Sequence, residues 1–192
     1  MLKLSEANNY ASLLTKIALA LGCALVYLFA FKLNSALFDW LKFSEGVNWV
    51  FIPSGVRMLL ILVLLYSGSI GIAIASCFIN YMIGNDDHHL FNIVTAVISG
   101  FAPLIAREIC IGLFHLDASL RDLNSKNLFQ LSVVFSLISA LLHQVWFSWN
   151  GVTEDFVASS LVMAFGDWVG TVLVLAAASW LLKLKNTIKT KI

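Results

Sequence analysis

The amino-acid sequence predicts an all-α integral membrane protein, a polytopic bundle of about six transmembrane helices with both termini in the cytoplasm. Composition supports the first part of this prediction, that the protein is an integral membrane protein. The 192 residues are 60% hydrophobic and only 12% charged, with a mean hydropathy of +0.89, whereas soluble domains carry roughly 25% charged residues. Since a bilayer core of about 30 Å requires about 20 apolar residues per helix, the length predicts roughly six spans in a single transmembrane domain.

Apolar segments separated by short polar loops predict where these spans lie. The predicted spans are residues 12–31, 49–66, 69–83, 92–113, 128–148 and 156–182, followed by a basic cytoplasmic tail at 183–192. The second and third spans are separated only by a tight turn at 66–69, and the third is short, so the sequence leaves open whether it crosses fully. Between the first and second spans, apolar residues alternate with Asp39, Lys42 and Glu45, which is typical of an amphipathic segment in the membrane interface.

The distribution of lysine and arginine predicts the orientation, because short cytoplasmic loops are enriched in both. With six spans and both termini inside, the outer side carries only Lys32 and Lys42. The basic residues that then lie inside are Lys3, Lys16, Arg121, Lys126, Lys183, Lys185, Lys189 and Lys191. This asymmetry favours cytoplasmic termini.

Polar side chains inside the spans are the candidate functional residues, because such groups are costly in lipid and usually face a bundle interior or a water-filled cavity. At about 1.5 Å per residue from the span ends, four of them share the outer half of the bilayer: Arg57, Asp167, His143 and Asn80. By the same rule Arg57 lies roughly 12 Å and Asp167 roughly 16 Å deep. Opposite charges at similar depth predict an ion pair, which is either a structural staple or part of a ligand-binding pocket.

The start of the second span predicts an irregular backbone beside Arg57. Pro53, Ser54 and Gly55 stand at this point, and because proline lacks an amide hydrogen and glycine is conformationally permissive, they predict a helix break or a late helix start. Lipid tolerates irregular backbone only where it is buried in protein or lines a cavity. The segment therefore predicts an opening next to Arg57, with unpaired amides pointing into it.

Three further groups of residues have competing interpretations. Arg107 and Glu108 form a predicted charged pair in the inner half, close enough to the inner face to reach water or to pair with each other. Small residues at four-residue spacing predict close helix packing, within the bundle or in a homodimer: Gly166, Gly170, Ser67, Gly71 and Ala75. The outer loop carries metal-ligand residue types, Asp86, Asp87, His88 and His89. Because consecutive residues converge poorly on one ion, a solvated loop is the favoured interpretation and no metal is predicted.

Two stretches resemble a known family. In residues 49–81, Trp49, Pro53 and Gly55 open a long apolar helix and Asn80 lies near the end of the next. This pattern resembles the first conserved region of bacterial membrane-associated sensor domains of the MASE type.

The last helix is similar to the closing helix of the same sensor domains. It carries Gly166, Asp167 and Gly170 before an apolar run, and residues 120–123 also fit the family pattern. The resemblance implies a sensory input module in the bacterial inner membrane, which in that family normally precedes a histidine kinase, a diguanylate cyclase or a phosphodiesterase. The residues of this sequence that match the family pattern are Pro53, Gly55, Gly166, Asp167 and Gly170. Arg57 is not among them.

The expected function is a stand-alone, shortened sensor-like module without an output domain. It would bind a small ligand or a membrane partner through the outer-half pocket and signal through a separate protein. Two alternatives remain open, a small-molecule transport or substrate-capture subunit and a structural subunit of a larger membrane complex. The sequence shows no nucleophile motif, glycine-rich phosphate loop or metal-binding HExxH, so we expect no enzyme activity and no cofactor. The expected partners are the lipid bilayer and a membrane or cytoplasmic protein or a second copy of the chain, with no nucleic acid.

Overall fold

The protein is a bundle of long α-helices with one small two-stranded hairpin. The computed structural model describes the backbone of residues 2–83, 88–117 and 124–189, and the side chains of residues 12–83, 88–117 and 124–181. In chain order the elements are α1 (Leu2–Phe38), a 3₁₀ turn (Asp39–Leu41), β1 (Lys42–Ser44), β2 (Val47–Asn48), α2 (Ile52–Ile83), α3 (His89–Phe114), α4 (Ser125–Trp149) and α5 (Phe156–Lys189). Over the described residues, five helices are long and apolar enough to cross a membrane.

Helix α2 folds back on itself at Leu65. This residue has φ 45° and ψ −117°, outside the helical region of backbone space. A Cβ atom added at Gly68 would lie 2.7 Å from the carbonyl oxygen of Leu60, although residues eight positions apart in a straight helix are separated by about 12 Å along its axis. Helix α2 is therefore a helical hairpin, and we call residues 52–64 its first limb and residues 66–83 its second limb.

This bend accounts for the difference between the six predicted spans and the five helices of the structure. The predicted spans 49–66 and 69–83 correspond to the two limbs of α2, which meet at the single non-helical residue Leu65 without an intervening loop. At 1.5 Å per residue the first limb is about 20 Å long and the second about 27 Å. Each limb is thus shorter than a bilayer core of about 30 Å.

Small residues make the closest contacts of α2 with its neighbours. The second limb packs against α1 and α3, and the first limb packs against α5. The pairs in contact are Gly71 with Ala20, Gly100 with Ser69, and Gly55 with Gly170. Ala75 is buried against Ala24 and Tyr27 of α1, whereas Ser67 is only half-buried. In this structure the predicted small-residue stripe serves packing within one chain.

The connector between α1 and α2, predicted as an amphipathic interfacial segment, forms the 3₁₀ turn and a β-hairpin. Strands β1 and β2 are antiparallel, with Lys42 opposite Asn48. Val47 of β2 is buried in an apolar cluster with Ala140 of α4 and Val162 of α5, which fixes the β-hairpin to the bundle. We call this end of the bundle the hairpin end.

Helix α5 extends beyond the predicted end of the sixth span at residue 182. It continues to Lys189, so the backbone of most of the predicted basic tail at 183–192 is helical. Residues 190–192 lie outside the described residues.

Candidate ligand-binding site

Arg57 and Asp167 form the predicted ion pair. Nη2 of Arg57 donates to both carboxylate oxygens of Asp167, each at 3.1 Å, and the two side chains are each 1% exposed. The rings of Phe51 and Phe135 flank the guanidinium, with centroids 5.6 Å and 5.3 Å from its central carbon. Because aromatic faces attract a desolvated cation, these rings help to hold Arg57 in place.

The segment predicted to break the helix or to delay its start does not break it, and the helix begins there, three residues after the start of the predicted span. Helix α2 starts at Ile52, which places Pro53, Ser54 and Gly55 in its first turn, where the missing amide hydrogen of a proline has no cost. The predicted unpaired amides are absent at this point, since the Ile52 amide donates to Oδ1 of Asn34 at 2.8 Å and the Ser54 amide donates to the carbonyl of Phe51. Asn34 of α1 thereby caps α2 from another helix.

Ser54 ties the first limb to α5 directly below this cap. Its hydroxyl oxygen lies within hydrogen-bonding distance of the carbonyl oxygen of Asp167 and 3.2 Å from the hydroxyl of Thr171. Thr171 in turn donates to the same Asp167 carbonyl at 2.7 Å. The backbone of Asp167 is therefore held on the side opposite to its carboxylate, which leaves the carboxylate directed at Arg57.

The glycines of the predicted packing motif on α5 contact the connector, and Gly170 also contacts Gly55 of α2. The amide of Phe51 donates to the carbonyl of Gly166 at 3.1 Å. A Cβ atom at Gly166 would overlap the carbonyl oxygen of Asn48, and one at Gly170 would overlap that of Phe51. The absence of side chains at these positions therefore allows the chain leading into α2 to lie directly on α5.

A cavity of about 270 Å³ extends from the hairpin end down to Arg57. Its rim contains the exposed residues Asp39, Lys42 and Glu45, and its floor contains buried side chains of α1, both limbs of α2, α3 and α4. The lining includes Tyr27, Phe31, Asn34, Phe51, Arg57, Ser76, Ile79, Asn80, Phe91, Asn92, Thr95, Ser99, His143 and Phe147. The volume is close to the lower end of the range of about 300–1,000 Å³ found for small-molecule sites.

The structure brings the four predicted pocket residues together. Arg57, His143 and Asn80 line the cavity, and Asp167 joins it through its pair with Arg57. Nδ1 of His143 donates to the carbonyl of Ser139 at 2.7 Å. In the neutral imidazole its Nε2 then accepts from the Ser99 hydroxyl at 3.0 Å, because a ring with one proton can donate from only one nitrogen.

Four buried polar groups lining this cavity have no hydrogen-bond partner. They are Nε of Arg57, Oγ of Ser76, Nδ2 of Asn92 and Oγ1 of Thr95. The side chains are at most 7% exposed, and leaving a buried polar group unpaired costs about 1–3 kcal/mol. Their shared position makes the cavity the best candidate for a binding site in the described part of the chain.

Three polar side chains of α3 that line the cavity are not among the predicted site residues, although the sequence contains a signal for them. Asn92, Thr95 and Ser99 recur at i, i+3 and i+7 in α3, which places them on one face of the helix, and all three are buried. Tyr27 and Asn34 are likewise seven residues apart on α1 and line the same cavity. A search for polar helix faces, rather than for ionisable residues alone, identifies this set.

The remaining predicted sites do not join the cavity. Nη1 of Arg107 pairs with Oε1 of the adjacent Glu108, whose side chain is 61% exposed. Of the outer-loop residues with metal-ligand side chains, for which no metal was predicted, Asp86 and Asp87 lie outside the described residues, as do residues 120–123. Nδ1 of His89 lies 3.1 Å from the hydroxyl of Tyr81. Within the ranges that the structure describes, no three histidine, cysteine or acidic side chains are grouped to hold a metal ion.

The described residues form a bundle of helices that are long and apolar enough to cross a membrane, with a polar cavity at the hairpin end. No known family, curated protein or solved structure matches this chain. The interpretation of the cavity therefore depends on its own residues.

Proposed function

We propose that this protein is a sensor-like module of the bacterial inner membrane, related to the MASE-type domains that it resembles. It binds a small molecule in the cavity at the hairpin end and passes a signal to a separate protein. The observation that supports this proposal is the group of four unpartnered, buried polar side chains that line one cavity with the Arg57–Asp167 pair. A bound molecule satisfies these groups.

The bend of α2 supports a topology in which both termini are cytoplasmic. Because the second limb returns beside the first, both ends of α2 lie at the hairpin end, with α1 leading to this end and α3 leading away from it. Six crossings, or four crossings with α2 as a re-entrant hairpin, place the two termini on the same side. The hairpin end is then outside, in agreement with the few basic residues predicted there, Lys32 and Lys42.

The contacts of Arg57 supply a route from the cavity to the opposite side of the bundle. Arg57 lines the cavity on the first limb and is bound to Asp167 of α5. Helix α5 then continues to Lys189, away from the hairpin end. A ligand that contacts Arg57 thus changes the forces on α5, whose far end is available to a cytoplasmic partner.

Two alternatives draw on specific observations. The exposed, charged rim of the cavity also suits a capture subunit that collects a substrate from outside for a transporter. The complete burial of Arg57 and Asp167 also suits a structural staple in a subunit of a larger complex. Neighbouring genes separate the first alternative from sensing, since ATPase subunits favour uptake and an orphan kinase or cyclase favours signalling.

The proposal is tested by filling the cavity in the cell. Thr95→Leu places an apolar side chain among the unpartnered groups, while Val97→Leu, at a position 48% exposed on the same helix, is the matched control. We expect both variants to reach the membrane in equal amounts on immunoblots. Thr95→Leu alone should change the same transcripts as deletion of the gene. If Thr95→Leu and Val97→Leu give the same transcript profile as the parent, the sensor function is wrong.

A further inference from the structure

The unpartnered groups of the cavity are mainly hydrogen-bond donors. Nε of Arg57 and Nδ2 of Asn92 donate and cannot accept, whereas the hydroxyls of Ser76 and Thr95 do either. All four belong to side chains that are more than nine-tenths buried, at 1%, 3%, 4% and 7% exposure respectively. A molecule that occupies the cavity must therefore present acceptor atoms to at least two donors.

The charge at the floor of the cavity is already balanced. Asp167 accepts two hydrogen bonds from Arg57 at 3.1 Å, and the neutral form of His143 satisfies both of its hydrogen bonds, to Ser139 and Ser99. An anion bound at Arg57 lies close to the carboxylate of Asp167, and a cation lies close to the guanidinium, and both arrangements are repulsive at low dielectric. A neutral molecule avoids both costs.

The walls and the volume define the rest of the ligand. Phe31, Phe51, Phe91 and Phe147 line the cavity together with Ile79, so an apolar or aromatic body is stabilised there. A volume of about 270 Å³ lies just below the range of about 300–1,000 Å³ found for sites that bind drug-sized molecules. The space therefore fits one small ring with one polar substituent.

We infer that the cavity selects a small, neutral molecule with an apolar or aromatic body and a hydrogen-bond-accepting head, which enters from the aqueous side at the hairpin end. This inference rests on the proposed function and names the class of ligand. Water-side access follows from the rim, where Asp39, Lys42 and Glu45 are exposed and Lys42 pairs with Glu45 at 3.2 Å. A rim of charged side chains does not admit a lipid tail.

Three probes of similar shape and different charge test the inference. They are benzamide, which is neutral with a carbonyl acceptor, benzoate, which is an anion, and benzylamine, which is a cation at neutral pH. Thermal unfolding of the purified chain in detergent is followed against probe concentration, since a ligand that binds the folded state raises the Tm. We expect benzamide to raise the Tm with an apparent Kd about tenfold lower than those of the two charged probes.

Two serine variants on the same limb locate the binding. The hydroxyls of Ser76 and Ser69 are both buried without a partner, but Ser76 lines the cavity and Ser69 does not. Ser76→Ala should weaken benzamide binding about fivefold, as expected for one lost hydrogen bond, while Ser69→Ala leaves it unchanged. Asn92→Leu replaces the donating amide with an apolar side chain of similar size. This variant should weaken benzamide binding by at least as much as Ser76→Ala does.

The outcomes separate the class of ligand from the proposed function. Tighter binding of benzoate or benzylamine than of benzamide, with loss in Ser76→Ala, shows that the cavity binds small molecules but that the inferred class is wrong. Benzamide binding that is equal in Ser76→Ala and Ser69→Ala, or no Tm shift with benzamide, also overturns the inference. The transcript test with Thr95→Leu and Val97→Leu decides the sensor function independently of these results.

Discussion

Two ion pairs occupy opposite parts of the bundle and differ in almost every physical respect. Arg57 and Asp167, near the hairpin end, are 110 positions apart in the sequence and each 1% exposed. Arg107 and Glu108, toward the other end of α3, are adjacent, and their side chains are 10% and 61% exposed. Both pairs were predicted from charges within apolar segments, so the residue types alone do not distinguish them.

The difference shows that burial and sequence separation determine what a charge pair does in such a chain. The buried pair connects α2 to α5 and forms part of a cavity floor, whereas the second pair connects a buried arginine to an exposed neighbour on the same helix. A pair with an exposed partner contributes about 0–1 kcal/mol, since water and salt screen the exposed charge, and Arg107 has a further interaction besides Glu108. A buried charge that loses its partner has a much larger cost, since it remains desolvated.

The largest expected effect is the loss of one partner of the buried pair. Arg57→Ala or Asp167→Ala should lower the free energy of unfolding by about 3–5 kcal/mol, because the other charge is left buried without compensation. The double variant Arg57→Met with Asp167→Leu should recover most of this loss, because no charge then remains. The measurement is the unfolding of the purified chain in detergent, by heat or by titration with a denaturing surfactant.

The matched control for this prediction is Glu108→Ala. It should change the free energy of unfolding by less than about 1 kcal/mol. Equal losses in Asp167→Ala and Glu108→Ala would contradict the distinction between the two pairs, as would a double variant that is no more stable than the two single ones.

A glycine next to each pair provides the second test. Gly170→Ala should destabilise by about 1–3 kcal/mol, the usual range for overpacking, because the added Cβ overlaps the carbonyl oxygen of Phe51. Gly112 lies four residues after Glu108, and an added Cβ there has no atom within 4 Å. Gly112→Ala should therefore stabilise α3 by about 0.5–1 kcal/mol. Thermal unfolding of both variants checks the opposite signs, and a Gly170→Ala variant as stable as the parent would refute the close backbone contact.

The smallest expected effect is found at one of two asparagine caps. Oδ1 of Asn34 accepts from the Ile52 amide at 2.8 Å, and that of Asn124 accepts from the Asn127 amide at 2.9 Å. Asn34 is 4% exposed, whereas Asn124 is exposed. Asn34→Ala should therefore cost about 2 kcal/mol and Asn124→Ala about 0.5 kcal/mol, the two ends of the range for helix caps. Equal decreases in Tm for Asn34→Ala and Asn124→Ala would show that burial does not change how much a cap contributes to stability.

The sequence predicts the apolar character of the bundle, the two limbs of α2 and the pairing of Arg57 with Asp167. Hydrophobic length and charge at matching depth are local properties, so they can be read from single segments. The turn between these two limbs is predicted at 66–69, which begins one residue after the bend at Leu65. The prediction at Pro53 is less accurate. Proline and glycine suggest a helix break or a late helix start there, and because a proline is harmless in a first helical turn, the helix begins at Ile52.

The features that the sequence does not predict depend on contacts between distant segments. Asn34 caps α2 from α1, and nothing in the local pattern around Asn34 indicates that partner. The unpartnered groups at Ser76 of α2 and at Asn92 and Thr95 of α3 line one cavity only because these two helices pack together. A polar residue of this size is unremarkable in an apolar helix until its neighbours are known.

The distance of 110 positions between Arg57 and Asp167 also has a consequence during biosynthesis. At about 5–20 residues per second, roughly 5–20 s separate the emergence of the arginine from that of its counter-ion. In this interval the guanidinium has no carboxylate partner from α5, and an arginine in the bilayer costs about 2.5–3.5 kcal/mol on insertion scales. On the proposed membrane placement, the first limb of α2 is thus poorly suited to leave the insertion machinery alone, and its stable insertion depends on α5, which is made later.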